Sequence, residues 1–218
     1  THGSLWPAVQ EADCVLVVGA RLDEPTTQAY TVFRDQVGRE LIHIYPSARE
    51  IGLNYACDHA MVADPVRAIA QLADAGSTGS AEWKPWRQRL RQLWLDNAAA
   101  PPTQAALDPG YVMAELNQRL PDVTIVTVDA GNFSRWPQRY HHYRRPGRLL
   151  APINGARVFG VPAAVGAALT YPQRQVVGCV GDGGMLMTGM ELAPAAQYGA
   201  KPLILVFNNQ SYGTIEMS

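Results

Sequence analysis

Residues 174–216 constrain the fold more than any other stretch. They read RQVVGCVGDGGMLMTGMELAPAAQYGAKPLILVFNNQSYGTIE. Residues 175–180 are short, apolar and valine-rich, the pattern of a strand buried on both faces. Gly181-Asp182-Gly183-Gly184 breaks that run. Thr188-Gly189-Met190-Glu191 has the spacing of a capping box and predicts a helix starting there. Gly199 stands where glycine ends a helix, and Pro194 predicts a kink in that helix or a delayed start. Residues 202–207 form a second apolar run, closed by Asn208-Asn209. Strand, glycine turn, helix and strand make a crossover, so the two strands are expected to be parallel.

That topology decides where the polar residues go. Asp182 and Asn209 each follow the C-terminal end of a strand. Parallel strands bring both ends to one edge of the sheet, where open α/β sheets bind ligands. Glycines let backbone N–H groups approach a ligand closely, and a helix start favours an anion. A carboxylate oxygen and an amide oxygen beside such a turn suit Mg²⁺, a hard ion that takes octahedral oxygen ligands and shares them with phosphate and water. The residues alone therefore predict a Mg²⁺–diphosphate site on a parallel sheet.

Gly181-Asp182-Gly183, then residues 184–207, then Asn208-Asn209 resembles the thiamine-diphosphate motif. Two ends at a defined spacing make it far more specific than a lone glycine loop. Over essentially the whole chain the sequence is similar to the 2-oxo-acid decarboxylase and acetolactate synthase group of thiamine-diphosphate enzymes. The resemblance implies Mg²⁺ held by Asp182, Asn209 and the Ser211 carbonyl. It implies Gly131, Asn132, Gly183 and Gly184 against the diphosphate, and Gly155 and Arg157 toward the pyrimidine. Gly181 and Tyr212 complete the expected cofactor-binding set. The cofactor would carry the chemistry, decarboxylation of a 2-oxo acid or ligation of the resulting acyl carbanion, while the protein holds and orients it.

Two positions depart from the family's glycine-rich loop. Arg157 stands where the family has a large apolar wedge, and Val158 where it has glycine. No residue matches the family's pyrimidine-protonating glutamate; Glu191 is read as a helix cap and Glu216 as a solvated loop residue. No catalytic residue is therefore assigned, and these residues alone are expected to be inactive. The alternative is a degenerate paralogue or fragment that keeps the fold without turnover. The pyrimidine-binding domain is expected from elsewhere in the same or another subunit, within a homodimer or homotetramer.

The upstream sequence fits the same class. Residues 12–18 (ADCVLVV), 41–45 (LIHIY) and 60–63 read as strands, and Asp64-Pro65 opens a helix to about residue 75. Ser47 to Glu50 has capping-box spacing and predicts a short helical turn. Strands alternating with helices mean α/β with parallel pairing. The expected fold class is two parallel-sheet, three-layer domains. Residues 1–97 resemble the C-terminal half of the family's Rossmann-like central domain with a linker helix. Residues 101–218 resemble the diphosphate-binding domain, truncated at its C-terminus. FAD, a structural cofactor in some family members, is not predicted, because Tyr45 replaces the usual acidic residue and no GxGxxG occurs. Arg21 is read as a loop residue paired with Asp23.

Trp83, Trp86, Leu90, Leu93 and Trp94 have helical spacing over residues 82–95 and predict an interdomain helix. Residues 98–110 read as a linker, Asp108-Pro109 as the start of a helix over 111–120, and residues 122–128 as a strand ending at Asp129-Ala130-Gly131-Asn132. His141-His142 reads as a solvated surface loop. The net charge of −1 and pI near 6.5 argue against a nucleic-acid or anionic-membrane surface. No apolar run approaches the ~20 residues of a membrane span. Three cysteines without metal-type spacing predict free thiols in a reducing cytoplasm, with Cys14 and Cys179 buried.

Overall fold

Apolar runs punctuated by glycine and proline produce seven strands and eight α-helices among the described residues. In this computed structural model these are residues 3, 5–34, 38–76, 82–99, 107–211 and 213. The chain divides into two units, Thr1–Asp96 and Asn97–Ser218.

In the first unit, α1 (Leu5–Val9) precedes β1 (Cys14–Val18), β2 (Glu40–Tyr45), β3 (His59–Val62) and α2 (Pro65–Asp74). The three strands pair in parallel in the order β1-β2-β3. Val17, Leu22, Leu41 and Tyr55 form the core, and buried His43 places Nε2 2.8 Å from the Ala20 carbonyl. As expected, α2 has Pro65 in its first turn and Asp64 as N-cap, accepting from the Arg67 N–H at 3.0 Å. Ser47 to Glu50 makes a hydrogen-bonded turn rather than a helix, with the Ser47 hydroxyl oxygen accepting from the Arg49 N–H.

Three expectations for this unit are corrected. Residues 12–18, expected as a buried strand, are not one: among the described residues β1 pairs only with β2, at the sheet's edge, and both Cys14 and Leu16 are exposed. Arg21 does not pair with Asp23. Its Nε donates to the Tyr45 hydroxyl at 3.1 Å and lies 3.8 Å from Glu50. Register explains this, since Val18 stands opposite Ile44 and so brings the two strand ends together. The Asp23 carboxylate instead accepts from the Thr26 hydroxyl at 2.7 Å. In α3 (Lys84–Ala98), Trp86 donates to the Ala8 carbonyl at 2.7 Å, within its own unit. Trp83 and Trp94 stay exposed beneath the guanidinium groups of Arg87 and Arg91.

The second unit runs α4 (Pro109–Arg119), β4 (Ile125–Val128), α5 (Arg135–Tyr140), β5 (Leu149–Leu150), α6 (Gly160–Thr170), β6 (Val176–Gly181), α7 (Asp182–Thr188), α8 (Leu192–Gln197) and β7 (Leu203–Phe207). All four strands are parallel, in the order β5-β4-β6-β7. The two central strands carry apolar side chains to both faces. Val126, Val128, Val177 and Cys179 pack with Met113 of α4 and Tyr140 of α5. On the other face Ile125 and Val176 meet Ala164, Ala167 and Ala168 of α6, and Val180 meets Ala195 of α8. Burial pushes the Cys179 thiol up to about 12. Gly178 permits the close approach: a Cβ there would lie 2.8 Å from Ile204 and 3.1 Å from Ala164.

The helix after β6 does not start at Thr188. It starts at Asp182, directly off the strand, and Thr188 ends its first segment, with its hydroxyl donating to the Gly184 carbonyl at 3.0 Å. Neither Gly183 nor Gly184 has positive φ, so the glycine turn is itself helical. Pro194 acts as expected. A 3-10 turn, Gly189–Glu191, separates α7 from α8 and leaves Pro194 in the first turn of α8, where its missing N–H costs nothing. Gly199 closes α8 at φ +70°, with Ala200 N–H to Ala195 O and Gly199 N–H to Ala196 O forming a Schellman motif.

Candidate functional site

A cleft of about 450 Å³ opens at the C-terminal ends of β4, β6 and β7. Parallel pairing brings there Asp129 and Gly131 after β4, Gly181 to Gly184 after β6, and Asn208 and Asn209 after β7. Of the residues expected at a site, Gly131, Asn132, Arg157, Gly181, Asp182, Gly183, Gly184, Asn209 and Ser211 line this one cleft. Gly155 does not; it is exposed in the preceding loop at φ +69°. Tyr212 and Glu216 lie outside the described residues.

A Cβ on Gly213 would stand 3.4 Å from the Asn132 amide nitrogen, 3.5 Å from that of Asn209 and 3.9 Å from Ser211 Oγ, so the three side chains converge. The Asn209 side-chain oxygen accepts from the Ser211 N–H at 3.2 Å, and Ser211 Oγ is buried with no hydrogen-bond partner among the described residues. The cleft's apolar lining includes Phe133 and Phe207, stacked at 5.4 Å, together with Trp136 and Leu205, and Phe133 abuts Gly131 and Gly181.

Asp129 opens a loop that resembles the family's D-x-G diphosphate loop, but sequence reasoning gave its side chain no role. It is 2 % exposed. Its Oδ1 accepts from the N–H groups of Ala130 and Phe159, and its Oδ2 from that of Val158. A Cβ on Gly184 would collide with Oδ2. One carboxylate thus ties the end of β4 to the start of α6 and leaves room only for glycine in the first turn of α7. The available signal was its place at the end of an apolar strand, where a buried carboxylate must find donors.

Val158 carries the strain of this arrangement. Its φ is +72°, a left-handed conformation that disfavours β-branched side chains. Replacing Val158 with glycine removes a cost of about 1–2 kcal/mol, offset by roughly 0.5–1 kcal/mol of extra chain entropy in the unfolded state. Val158→Gly is therefore expected to raise stability by up to about 1 kcal/mol in urea denaturation. A clear loss would mean that the valine's packing outweighs its strain.

The His141-His142 segment is not a plain solvated loop. His141 is half-buried and edge-on to Tyr143 at 4.7 Å. Burial first, then the charges of His142 and Arg144, pushes its pKa down. The Asn117 side chain accepts the His142 N–H at 2.9 Å and so holds the segment against α4. No group of three or more His, Cys, Asp or Glu among the described residues is placed to hold a metal ion, and no described helix is long and apolar enough to cross a membrane.

Comparisons with known proteins agree with this geometry. Residues 2–72 match the central domain of thiamine pyrophosphate enzymes, and residues 129–218 match the C-terminal TPP binding domain of thiamine pyrophosphate enzymes. The acetolactate synthase large subunit of Parasynechococcus marenigrum is 30 % identical over 98 % of this chain and 35 % of its own length. The probable acetolactate synthase large subunit of Methanocaldococcus jannaschii is 29 % identical over 95 % and 36 %. The solved thiamine diphosphate-dependent 4-hydroxybenzoylformate decarboxylase of Rhodococcus jostii superposes with a TM-score of 0.69 at 27 % identity, covering 94 % of this chain and 37 % of that one. The chain spans about a third of the length of these relatives. With central-domain sequence in its first unit and cofactor-domain sequence around the cleft of its second, the chain belongs to the thiamine pyrophosphate enzymes.

Proposed function

We propose that the second unit binds thiamine diphosphate with Mg²⁺ in the cleft, as part of an enzyme that decarboxylates a 2-oxo acid or ligates the resulting acyl group. The observation that carries this reading is the meeting of Asp182, Asn209 and Ser211 with Gly131, Gly183 and Gly184 at one sheet edge. The donor set fits. One carboxylate and one amide oxygen, completed by a backbone carbonyl, are hard oxygen ligands of the kind Mg²⁺ shares with phosphate. The buried Ser211 Oγ, without a hydrogen-bond partner among the described residues, suits a polar guest.

Asp182, Asn209 Oδ1 and the Ser211 carbonyl hold the metal in this reading, and Gly131, Asn132, Gly183 and Gly184 meet the diphosphate. Gly181 gives the turn its start, and the Phe133–Phe207 wall excludes water from the apolar part of the ligand. When bound, thiamine diphosphate supplies the nucleophilic carbon and the electron sink that cleavage next to a 2-oxo group requires. The pyrimidine-binding domain of the same or another subunit completes the site in a homo-oligomer. The free cysteines accord with a cytoplasmic setting.

Titration calorimetry tests the binding. Saturable uptake of thiamine diphosphate is expected only with Mg²⁺ present, and no uptake with both present would sink the reading. Residues 1–218 alone are expected to release no CO₂ from a panel of 2-oxo acids beyond what free cofactor releases. A second reading, a paralogue that keeps the fold without turnover, is favoured by Arg157 in the cleft and by the strained φ of Val158. CO₂ release by the full-length protein separates the two.

A further inference from the structure

We infer that Arg157 is the anion-recognising residue of the cleft, pairing its guanidinium with an oxyanion of the ligand, either a phosphate or a carboxylate oxygen. The inference rests on the cofactor reading above and deepens it.

Charge is the first argument. Among the residues lining the cleft, Arg157 is the cation, and Asp129 and Asp182 are the carboxylates. Both oxygens of Asp129 are engaged by backbone N–H groups. Asp182 lines the same cleft as the amides of Asn132 and Asn209. Arg157 is half-buried, and no ion pair or hydrogen bond joins it to another described residue. A half-buried cation in a cleft also lined by Phe133, Trp136 and Phe207 sits in a medium where an unpaired charge is costly and a paired one is strong.

Placement is the second argument. Residue 157 is pinned on both sides. The Ala156 N–H donates to Asn154 Oδ1 at 3.1 Å, and the N–H groups of Val158 and Phe159 donate to Asp129 at 3.1 and 3.0 Å. The φ of +72° at Val158 is tolerated in the same two bonds. Backbone strain of this kind gathers where a neighbouring side chain must be aimed. The planar guanidinium fork matches a phosphate or carboxylate edge, which an apolar side chain of equal length cannot do. The Asp129 carboxylate that holds residue 158 also abuts Gly184, so the proposed diphosphate turn is one side chain away. The carboxylate of a 2-oxo acid is the other source of the same chemistry.

Calorimetry on the intact protein, wild type, Arg157→Met and Arg157→Lys, decides this with two probes. The first is pyrophosphate with Mg²⁺. The second is the tightest-binding member of a 2-oxo acid panel from glyoxylate to 2-oxoisovalerate, titrated onto protein saturated with Mg²⁺ and thiamine diphosphate. Arg157→Met is expected to weaken one probe about ten- to a hundredfold, with partial recovery in Arg157→Lys. Loss in the first arm identifies phosphate as the anion; loss in the second alone identifies the carboxylate. Affinity unchanged in both arms overturns the inference while leaving the cofactor reading intact. A wild-type protein that binds neither Mg²⁺–pyrophosphate nor Mg²⁺–thiamine diphosphate overturns both. Arg157→Gln, read the same way, replaces the methionine variant if thermal unfolding shows that variant misfolded.

Discussion

Asp182→Ala is expected to lower the Mg²⁺-dependent affinity for thiamine diphosphate by more than about a hundredfold. Loss of an outer-shell partner alone typically costs 10–100-fold in metal affinity, and Asp182 is the charged member of the proposed ligand set. The chain should still fold, because Asp182 is only partly buried and sits at the first position of α7. Its loss there removes a favourable charge at a helix start, an effect of roughly 0.3–1 kcal/mol. Calorimetry with and without Mg²⁺, beside a thermal melt, separates binding from stability. An unchanged affinity would place the metal elsewhere. Asp182→Asn keeps an oxygen ligand without the charge and is expected to fall between wild type and alanine.

Asp129→Ala is expected to act in the opposite way, on the fold before the ligand. The mutation strands the part-buried N–H donors at Val158 and Phe159 and opens a void beside Gly184. Hydrogen bonds to a charged acceptor are worth about 1.5–3 kcal/mol each, so the loss should reach about 3–5 kcal/mol, a large share of a domain's stability. Urea denaturation reads the total, and hydrogen exchange at the amides of 158 and 159 reads the place. Asp129→Asn retains one acceptor oxygen and turns an NH₂ toward the other donor, so it should recover only part. A stability near wild type in the alanine variant would mean that water takes over the carboxylate's role.

Much of this fold could be read from the residue pattern because burial and turn chemistry are local properties. The apolar runs ending at Val180 and Phe207 lie in strands, Asp64-Pro65 and Asp108-Pro109 cap helices, and Gly199 takes the left-handed φ that ends one. The misses arise where tertiary contact overrides a local preference. Thr188 has the spacing of a cap, yet α7 begins at Asp182 because the turn after β6 is helical from its first residue. Arg21 reaches across to Tyr45 because strand register, which no single stretch displays, sets its neighbours. Cys14 lies in an apolar run but on an edge strand, and position within a sheet cannot be read from one strand. The two-residue β5 is too short to leave a period, and it exists through its pairing with β4. At the site, motif spacing pointed to the glycines and to Asp182 and Asn209. Asp129 opens the D-x-G loop that the resemblance placed at the same edge, but its part in holding residues 158 and 159 emerged only from its bonds.

The crowding around Gly178 bears on how this chain can change over generations. Residue 178 faces Ile204 of the next strand and Ala164 of the covering helix, and a single added methyl would overlap the Ile204 Cδ1 methyl and press tightly on Ala164. Enlarging residue 178 first forces the Ile204 Cδ1 methyl aside and presses on Ala164, whereas shrinking residue 204 first removes that methyl, at the roughly 0.5–1.5 kcal/mol that trimming a partly buried isoleucine to valine typically costs. Mutational paths through this layer therefore have a favoured order: the strand that carries Asp182 varies more easily once the strand that carries Asn208-Asn209 has yielded at residue 204. Drift in the two halves of the proposed metal site is coupled through a contact that neither half makes with the ligand.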